Sequence, residues 1–531
     1  MSFLEELHKP DILDCISHLS SDEVFTPPKL VNEILDTLPQ ELFKSPETMF
    51  IDPCCKSGVF LREIANRLIE GLAEVFPDLD KRTEHIFKNQ LFGLAITELT
   101  GLLSRRSVYC SKNADGEYSV CKFANEQGNI EYKRIYHIWF KDKCMMCGAS
   151  KSEYDRGKEL ETHAYSFIHT DEQRNSELFK RLKDMKFDVI IGNPPYQLGV
   201  GNDGGNSAKA KAIYHQFVSQ AIKLEPKYIT MIIPSRWMTR SVEGISDAWI
   251  DEMLNCNKIE FLHDYLNAGD CFPGVEIKGG VCYFLYSKDY NGKCNYYLHD
   301  INSKVYEHNA YLNERNIGIV IRDINALSII DKIDSVEKGY TTNEKQNFSS
   351  LVSPKDFYTN KETLTSSWKG YRNTCDSDYN IKYYMNKNIH KEEFGWIKAK
   401  DISKNLKTKD LHKVYIPAAA GSGTDSQVLG TPFYGEPNSV CSQTYLVIGY
   451  NPELHNFTKE QCENIIKYIK TRFFRYLVSI KKKTQNGPRG VYQFVPVQDF
   501  DEEWTDEKLY KKYGLTQDEI DFIESMIRPM E

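Results

Sequence analysis

Phe187-Asp188-Val189-Ile190-Ile191-Gly192-Asn193-Pro194-Pro195-Tyr196 is an apolar run that stops abruptly on an amide, two prolines and an aromatic ring. The run is apolar enough to be a strand covered on both faces, which is the signature of the centre of a parallel sheet. Proline cannot continue a hydrogen-bonded ladder, so the strand ends near Gly192 and a stiff turn follows. On such a turn an Asn carbonyl and a backbone carbonyl can both accept hydrogens from one planar amino group, while the tyrosine ring lies against its π-face. The segment therefore reads as a pocket for an exocyclic amine on a flat ring. The plain alternative is a strand that ends in a rigid turn.

Working outward, Phe25-Thr26-Pro27-Pro28 precedes Leu30, Val31, Ile34, Leu35 and Leu38, whose spacing puts them on one helical face with proline in the permitted first turn. Met49-Phe50-Ile51 is then stopped by Asp52-Pro53-Cys54-Cys55-Lys56-Ser57-Gly58, after which Phe60, Leu61, Ile64, Leu68 and Leu72 resume helical spacing. Strand, tight small-residue turn and helix open a doubly wound sheet, in which ligands sit at the carboxyl ends of strands. Further strands are predicted at 91–96, 228–233 and 281–286, the last closing the sheet. The predicted fold is α/β, a Rossmann-like mixed sheet of seven strands with helices on both faces. Residues 199–207, rich in Gly and Asn, read as a flexible loop that also serves as a lid.

The chain has 531 residues and a net charge of −8. That length supports two or three domains with proper cores, and that charge confines any nucleic-acid site to a local basic patch. The charged start and the lack of any apolar stretch of membrane-spanning length predict a cytoplasmic protein with no membrane partner. Its fourteen cysteines are then expected to be reduced. Four of them, Cys110, Cys121, Cys144 and Cys147, fall in a cysteine-rich insertion over 108–165, the last two within Cys144-Met145-Met146-Cys147-Gly148. That pair has metal-knuckle spacing and predicts a structural four-thiolate zinc site, with His137 as a substitute for Cys121. The plain alternative is buried thiols, the reading given to Cys54, Cys55, Cys256, Cys282 and Cys462.

Phe25-Thr26-Pro27-Pro28, the stretch 52–60 and Asn193-Pro194-Pro195-Tyr196, in that order, resemble the adenine-specific DNA amino-methyltransferases of the gamma motif order found among type II restriction-modification methylases. Pro234-Ser235-Arg236-Trp237 and Cys271-Phe272-Pro273-Gly274-Val275 are similar to later motifs of that family. The resemblance implies S-adenosylmethionine as methyl donor. It implies a cofactor site of Phe25, Thr26, Pro27, Asp52, Pro53, Ser57, Gly58 and Phe60, with Asp52 accepting from the amino group, Glu98 on the ribose and Asp171 toward the adenine. Asn193, Pro194, Pro195 and Tyr196 are the implied catalytic residues, acting on a base swung out of the duplex and stacked between Tyr196 and Phe272. Asn rather than Ser at 193 favours adenine over cytosine. Two positions depart from the family pattern: Lys56 replaces a glycine of the cofactor loop, and Ala95 stands where a ribose-binding acid is common.

The expected layout is a catalytic domain over 1–304, an α+β target-recognition domain over 305–499 and a helical tail over 500–531, the last of its helices opened by a Thr516-x-x-Glu519 capping box. Lys467, Lys470, Arg472 and Arg475 lie at helical spacings, followed by the basic turn 481–489. Arg236, Arg472, Arg475, Lys481, Lys482, Lys483, Gln485 and Arg489 are the expected contacts to double-stranded DNA. Residues 418–423 are a contact loop or an ordinary turn. Because about two dozen residues precede the first cofactor motif, a restriction endonuclease partner is expected on a separate chain. Two alternatives stay open: a methyltransferase acting on RNA or a protein glutamine amide, and a catalytically weak DNA-binding specificity subunit.

Overall fold

A computed structural model describes residues 24–530 apart from 158–159, 175, 199–210, 315, 361, 387–388, 421–425 and 483–484. The expected lid at 199–207, Lys483 and part of the 418–423 loop lie outside the described residues. Among the described residues no helix is long and apolar enough to cross a membrane. The chain divides into two compact units, one of Met1–Asn313 with Gly318–Val320, the other of Glu314–Ile317 with Ile321–Glu531.

The first unit is built on a mixed sheet of nine strands. In chain order these are β1 Phe50–Cys55, β2 Leu91–Ala95, β3 Ile130–Glu131, β6 Val189–Gly192, β7 Tyr228–Pro234, β8 Ile259–Tyr265, β9 Val281–Ser287, β10 Cys294–His299 and β11 Val305–Ala310. A separate two-stranded hairpin in the insertion joins β4 Trp139–Phe140 and β5 Lys143–Cys144. Across the sheet the order is β11-β10-β8-β9-β7-β6-β1-β2-β3. β3, β2, β1, β6 and β7 are mutually parallel, β9 runs antiparallel between β7 and β8, and β11 is antiparallel to β10. After β1 the chain moves outward through β2 and β3 and then returns to place β6 on the other side of β1. The switch point lies between β1 and β6, where open α/β sheets bind their ligands.

Alternation along these strands explains their apolar character. Ile51 and Ile190 face one core together with Phe217, Val218 and Phe284, whereas Phe50, Val189 and Ile191 face the other with Leu30, Ile34, Leu61 and Ile64. Both faces are covered, so neither strand can alternate with polar residues. The helix Pro28–Asp36 buries Leu30, Val31, Ile34 and Leu35, with proline at its start.

The expectation of seven strands ending near residue 286 is corrected to nine. β10 buries only alternate residues and β11 is almost wholly exposed, so neither carries the apolar run of a central strand. The expected boundary at 304 is corrected too, because β11 completes the sheet of the first unit.

The second unit is α+β. Its two three-stranded sheets join β12 Ile381–Tyr384, β13 Phe394–Ile397 and β16 Ser439–Cys441, and β14 Lys413–Pro417, β15 Phe433–Gly435 and β17 Tyr445–Ile448. Helices Ile324–Val336, Lys459–Lys470, Arg472–Lys481, Asp506–Tyr513 and Gln517–Met526 accompany them. The last two belong to this unit rather than to a separate tail over 500–531. The Thr516–Glu519 capping box is formed.

Candidate active site

Pairing of Ile51 with Ile190 sets the ends of β1 and β6 side by side at the carboxyl edge of the sheet. Gly192 is required there by close approach: a Cβ would lie 2.7 Å from both Asp52 Oδ1 and Cys54 Sγ. Asp52 is buried, and its Oδ1 accepts the Cys54 N–H at 3.0 Å. Burial pushes the carboxyl up to about 6, against the pull of its Cys54 and Cys55 donors and the Lys56 ammonium.

The turn after β1 explains how lysine replaces a glycine. Gly58 takes the left-handed conformation, φ +75°, and caps the helix Val59–Gly71, while Lys56 is not among the residues of positive φ. A Cβ on Gly58 would also strike Ser104 at 2.9 Å, and the Ser104 hydroxyl donates to the Lys56 carbonyl at 3.2 Å. Lys56 is itself buried. Its Nζ donates to the Val24 carbonyl at 3.1 Å and stands 5.9 Å from the centre of the Tyr196 ring.

Asn193 is the best-oriented group in this cleft. Its Nδ2 donates to the Val24 carbonyl and to Thr26 Oγ1, both at 3.1 Å. Those two acceptors determine which way the amide faces. Its Oδ1 is left buried, and among the described residues nothing donates to it. The Tyr196 hydroxyl lies beside the Asn193 side chain, buried and with no well-formed hydrogen bond among the described residues, and burial raises it well above its ordinary value, so it stays protonated. Thr26, Asp52, Lys56, Ser57, Gly58, Phe60 and Asn193 together line a narrow cleft.

A buried carboxyl, a glycine-lined turn and an amide oxygen without a donor suit a small cationic ligand beside an amine. Residues 89–272 match the Eco57I restriction-modification methylase family. The chain is also 40% identical over 309 residues to an uncharacterized adenine-specific methylase of Mycoplasma pneumoniae, covering 54% of this chain and 72% of that protein. It belongs to the adenine-specific methylases of the restriction-modification type. Solved structures similar in architecture include the type IIG restriction endonuclease BpuSI, at 12% identity and a TM-score of 0.38, covering 96% of this chain and 62% of that one. Another is the type IIL restriction-modification enzyme MmeI, at 14% identity and a TM-score of 0.39, covering 91% and 65%. The methylase spans less than two thirds of either.

Several site residues expected from the methylase's sequence are placed differently. Phe272 is buried in the core beside Tyr265, Cys271 and Tyr283, not exposed as a stacking face. Asp171 closes its own turn, accepting from the N–H groups of Gln173 and Arg174 and pairing with the Arg174 guanidinium at 3.6 Å. Thr26 holds Asn193 in addition to lining the cleft. Phe25 and Pro27 are half-buried, Pro27 capping the helix Pro28–Asp36, and Pro53 lies within β1. Glu98 is exposed at the first position of the helix Glu98–Tyr109, just past the carboxyl end of β2. The Val24 carbonyl, a main-chain group with no sequence signature, went unforeseen.

The basic cluster is largely engaged inside the second unit. Arg475 is fully buried and donates to the carbonyls of Lys470, Thr471, Gln427 and Arg528. Arg472 pairs with Glu524 at 2.8 Å, and Lys467 with Glu503 at 2.6 Å. Lys482 is buried on the Ala420 carbonyl, Lys481 donates to Ile317 and Gln493, and Arg489 to the Ser349 carbonyl. Arg475 and Lys482 are thereby corrected from phosphate contacts to structural residues. Gln485 is exposed, as is Arg236 at the carboxyl end of β7.

The four-cysteine set is corrected as well. Cys110 is exposed at a helix end, and Cys121 is buried in the core that holds Tyr109 and Ala114. Cys144 and Cys147 instead meet His137 and His169, all four buried and with their ligand atoms within 4.8 Å of one another. His169 falls beyond the expected insertion, where no spacing rule pointed to it.

Proposed function

We propose that this methylase transfers a methyl group from S-adenosylmethionine to the exocyclic amine of an adenine flipped out of duplex DNA. The observation that carries the reading is the Asn193 amide, whose nitrogen is bound by Val24 and Thr26 and whose buried oxygen has no donor among the described residues. An acceptor desolvated without a partner costs about 1–3 kcal/mol, so its retention argues for a donor supplied by substrate. The adenine amine is that donor. Its lone pair is delocalised into the ring, and acceptance of its two N–H bonds by Asn193 Oδ1 and the Pro194 carbonyl turns the nitrogen toward tetrahedral geometry. Neither acceptor can take up a proton at neutral pH, so the proton leaves after the methyl has arrived. Tyr196 offers a ring for the base to stack upon, a contact worth about 1–3 kcal/mol.

The cleft fits the methyl donor on its own chemistry. Asp52 provides a carboxylate for its amino group, and Gly58 makes the left-handed turn that lines the cleft beside it. When bound, the donor supplies an electrophilic methyl on sulfur. Double-stranded DNA is the substrate, and the second unit reads its target; the support is a groove of about 890 Å³ whose lining includes Lys355, Asn386, Gln443, Thr444 and Asn486. A cleaving partner would be a separate restriction endonuclease.

Asn193→Ala should abolish methylation, with a loss of at least about 100-fold, while leaving cofactor affinity within a few-fold of the parent. Long-read modification sequencing of DNA from cells expressing each form would show it. Methylated adenine from the variant would overturn the assignment.

A further inference from the structure

We infer that His137, Cys144, Cys147 and His169 form a closed tetrahedral zinc site that fastens the insertion to the chain entering the catalytic strand. Cys147 Sγ lies 3.4 Å from His137 Nδ1, and Cys144 Sγ lies 3.6 Å from His169 Nε2. Zinc bonds of about 2.3 Å to sulfur and 2.0–2.1 Å to nitrogen require tetrahedral edges of about 3.3–3.8 Å. Both Cys–His edges meet that requirement, and all four ligand atoms lie within 4.8 Å of one another.

The histidines are held in the matching tautomers. His137 Nε2 sits 2.7 Å from the Thr162 carbonyl, and His169 Nδ1 sits 2.8 Å from the Tyr165 carbonyl. A carbonyl only accepts, so each of these nitrogens carries the proton and the opposite nitrogen is bare toward sulfur. The knuckle is shaped for an ion too. Gly148 turns at φ +72°, and the Met146 N–H points at Cys144 Sγ at 3.4 Å. Two thiolates with two imidazoles select zinc over the hard cations. Four protein ligands leave no open position, so the site is structural rather than catalytic.

Its ligands come from three separate segments. His169 immediately precedes Thr170, whose carbonyl accepts from Gln220 at 3.0 Å, and the chain then runs through the helix Ser176–Met185 into β6 and Asn193. The ion therefore joins the hairpin of the insertion to the approach of the catalytic strand.

The test is made on the full chain. Zinc is counted per chain after purification without chelator, and Co²⁺ replaces it for absorption spectroscopy, in which tetrahedral d–d bands report geometry and sulfur charge-transfer intensity reports thiolate number. One zinc per chain and a two-thiolate cobalt spectrum are expected. The Cys110→Ser/Cys121→Ser double variant should keep both, and His169→Ala should lose metal affinity at least tenfold. If His169→Ala does not fold, the cobalt spectrum of the parent chain decides alone. Absence of both zinc and cobalt bands in the parent would overturn the site, leaving two Cys–His hydrogen bonds in its place. Loss of metal from the double variant, or a four-thiolate spectrum, would overturn the ligand set.

Discussion

At the scale of single residues, the cleft depends on groups held by one atom so that another is available. Asn193 is one, and its type and place in the chain are legible because Asn-Pro-Pro-Tyr is a local signal. What holds it was not legible, since Val24 and Thr26 lie far away in sequence. Asp52 is the other, and it leads to a pH prediction. Its folded carboxyl titrates near 6, above its ordinary value of 3.8, because burial disfavours the charged form. The sign follows: burial of the charge costs stability fully above about 6, and that cost disappears as pH falls through 6 toward 3.8. Binding of a cationic amine needs the ionised form. Cofactor affinity should therefore rise as pH passes upward through about 6 and fall again above about 8, where a free α-amino group loses its proton. Calorimetric titration across this range checks it, and Asp52→Asn should bind weakly at every pH. A flat profile for the parent would remove Asp52 as the ionic partner.

At the scale of elements, helical spacing says which residues share a face but not where that face points. Lys467, Lys470, Arg472 and Arg475 illustrate the difference. The four fall on two helices, Lys459–Lys470 and Arg472–Lys481, and Arg475, three residues after Arg472, is sealed in the core with four carbonyls around its guanidinium. Burial lowers its ionisation to about 10 without discharging it at neutral pH. Arg475→Met should cost about 3 kcal/mol or more, since several carbonyls lose their donor, read as a lower urea midpoint. The salt dependence of DNA binding should not change. A shallower salt slope with unaltered stability would restore the phosphate role. Elements with local signals were legible: the helix Pro28–Asp36, the turn from β1 into its helix and the Thr516–Glu519 cap all depend on neighbours within a few residues. β10 and β11 were not, because the edge strand and its neighbour bury too little apolar surface to leave a run.

At the scale of the whole molecule, the proposed function gives the chemistry to the first unit and the reading of the target to the second. The groove of the second unit is lined by Asn386, Gln443 and Thr444 among residues from both of its three-stranded sheets. Asn386→Ala with Gln443→Ala should relax or change the methylated sequence. Methyl transfer in a single turnover on an optimal site should stay within a few-fold of the parent. Modification sequencing gives the first quantity and rapid-quench methylation the second. An unchanged target would move the reading surface elsewhere on the unit.

The sequence by itself determined the α/β class, the switch-point strands, the stiff turn Asn193–Tyr196 and the close-spaced pair Cys144 and Cys147. Each is written in residues close enough along the chain for periodicity or turn chemistry to express it. Only the tertiary structure decided that Gly58 rather than position 56 makes the left-handed turn, that Phe272 is core, and that Arg475 is internal. It alone brought His169 to the thiols of Cys144 and Cys147. Those outcomes depend on which surfaces meet across the fold, and burial and long-range pairing leave no mark on the local order of residues.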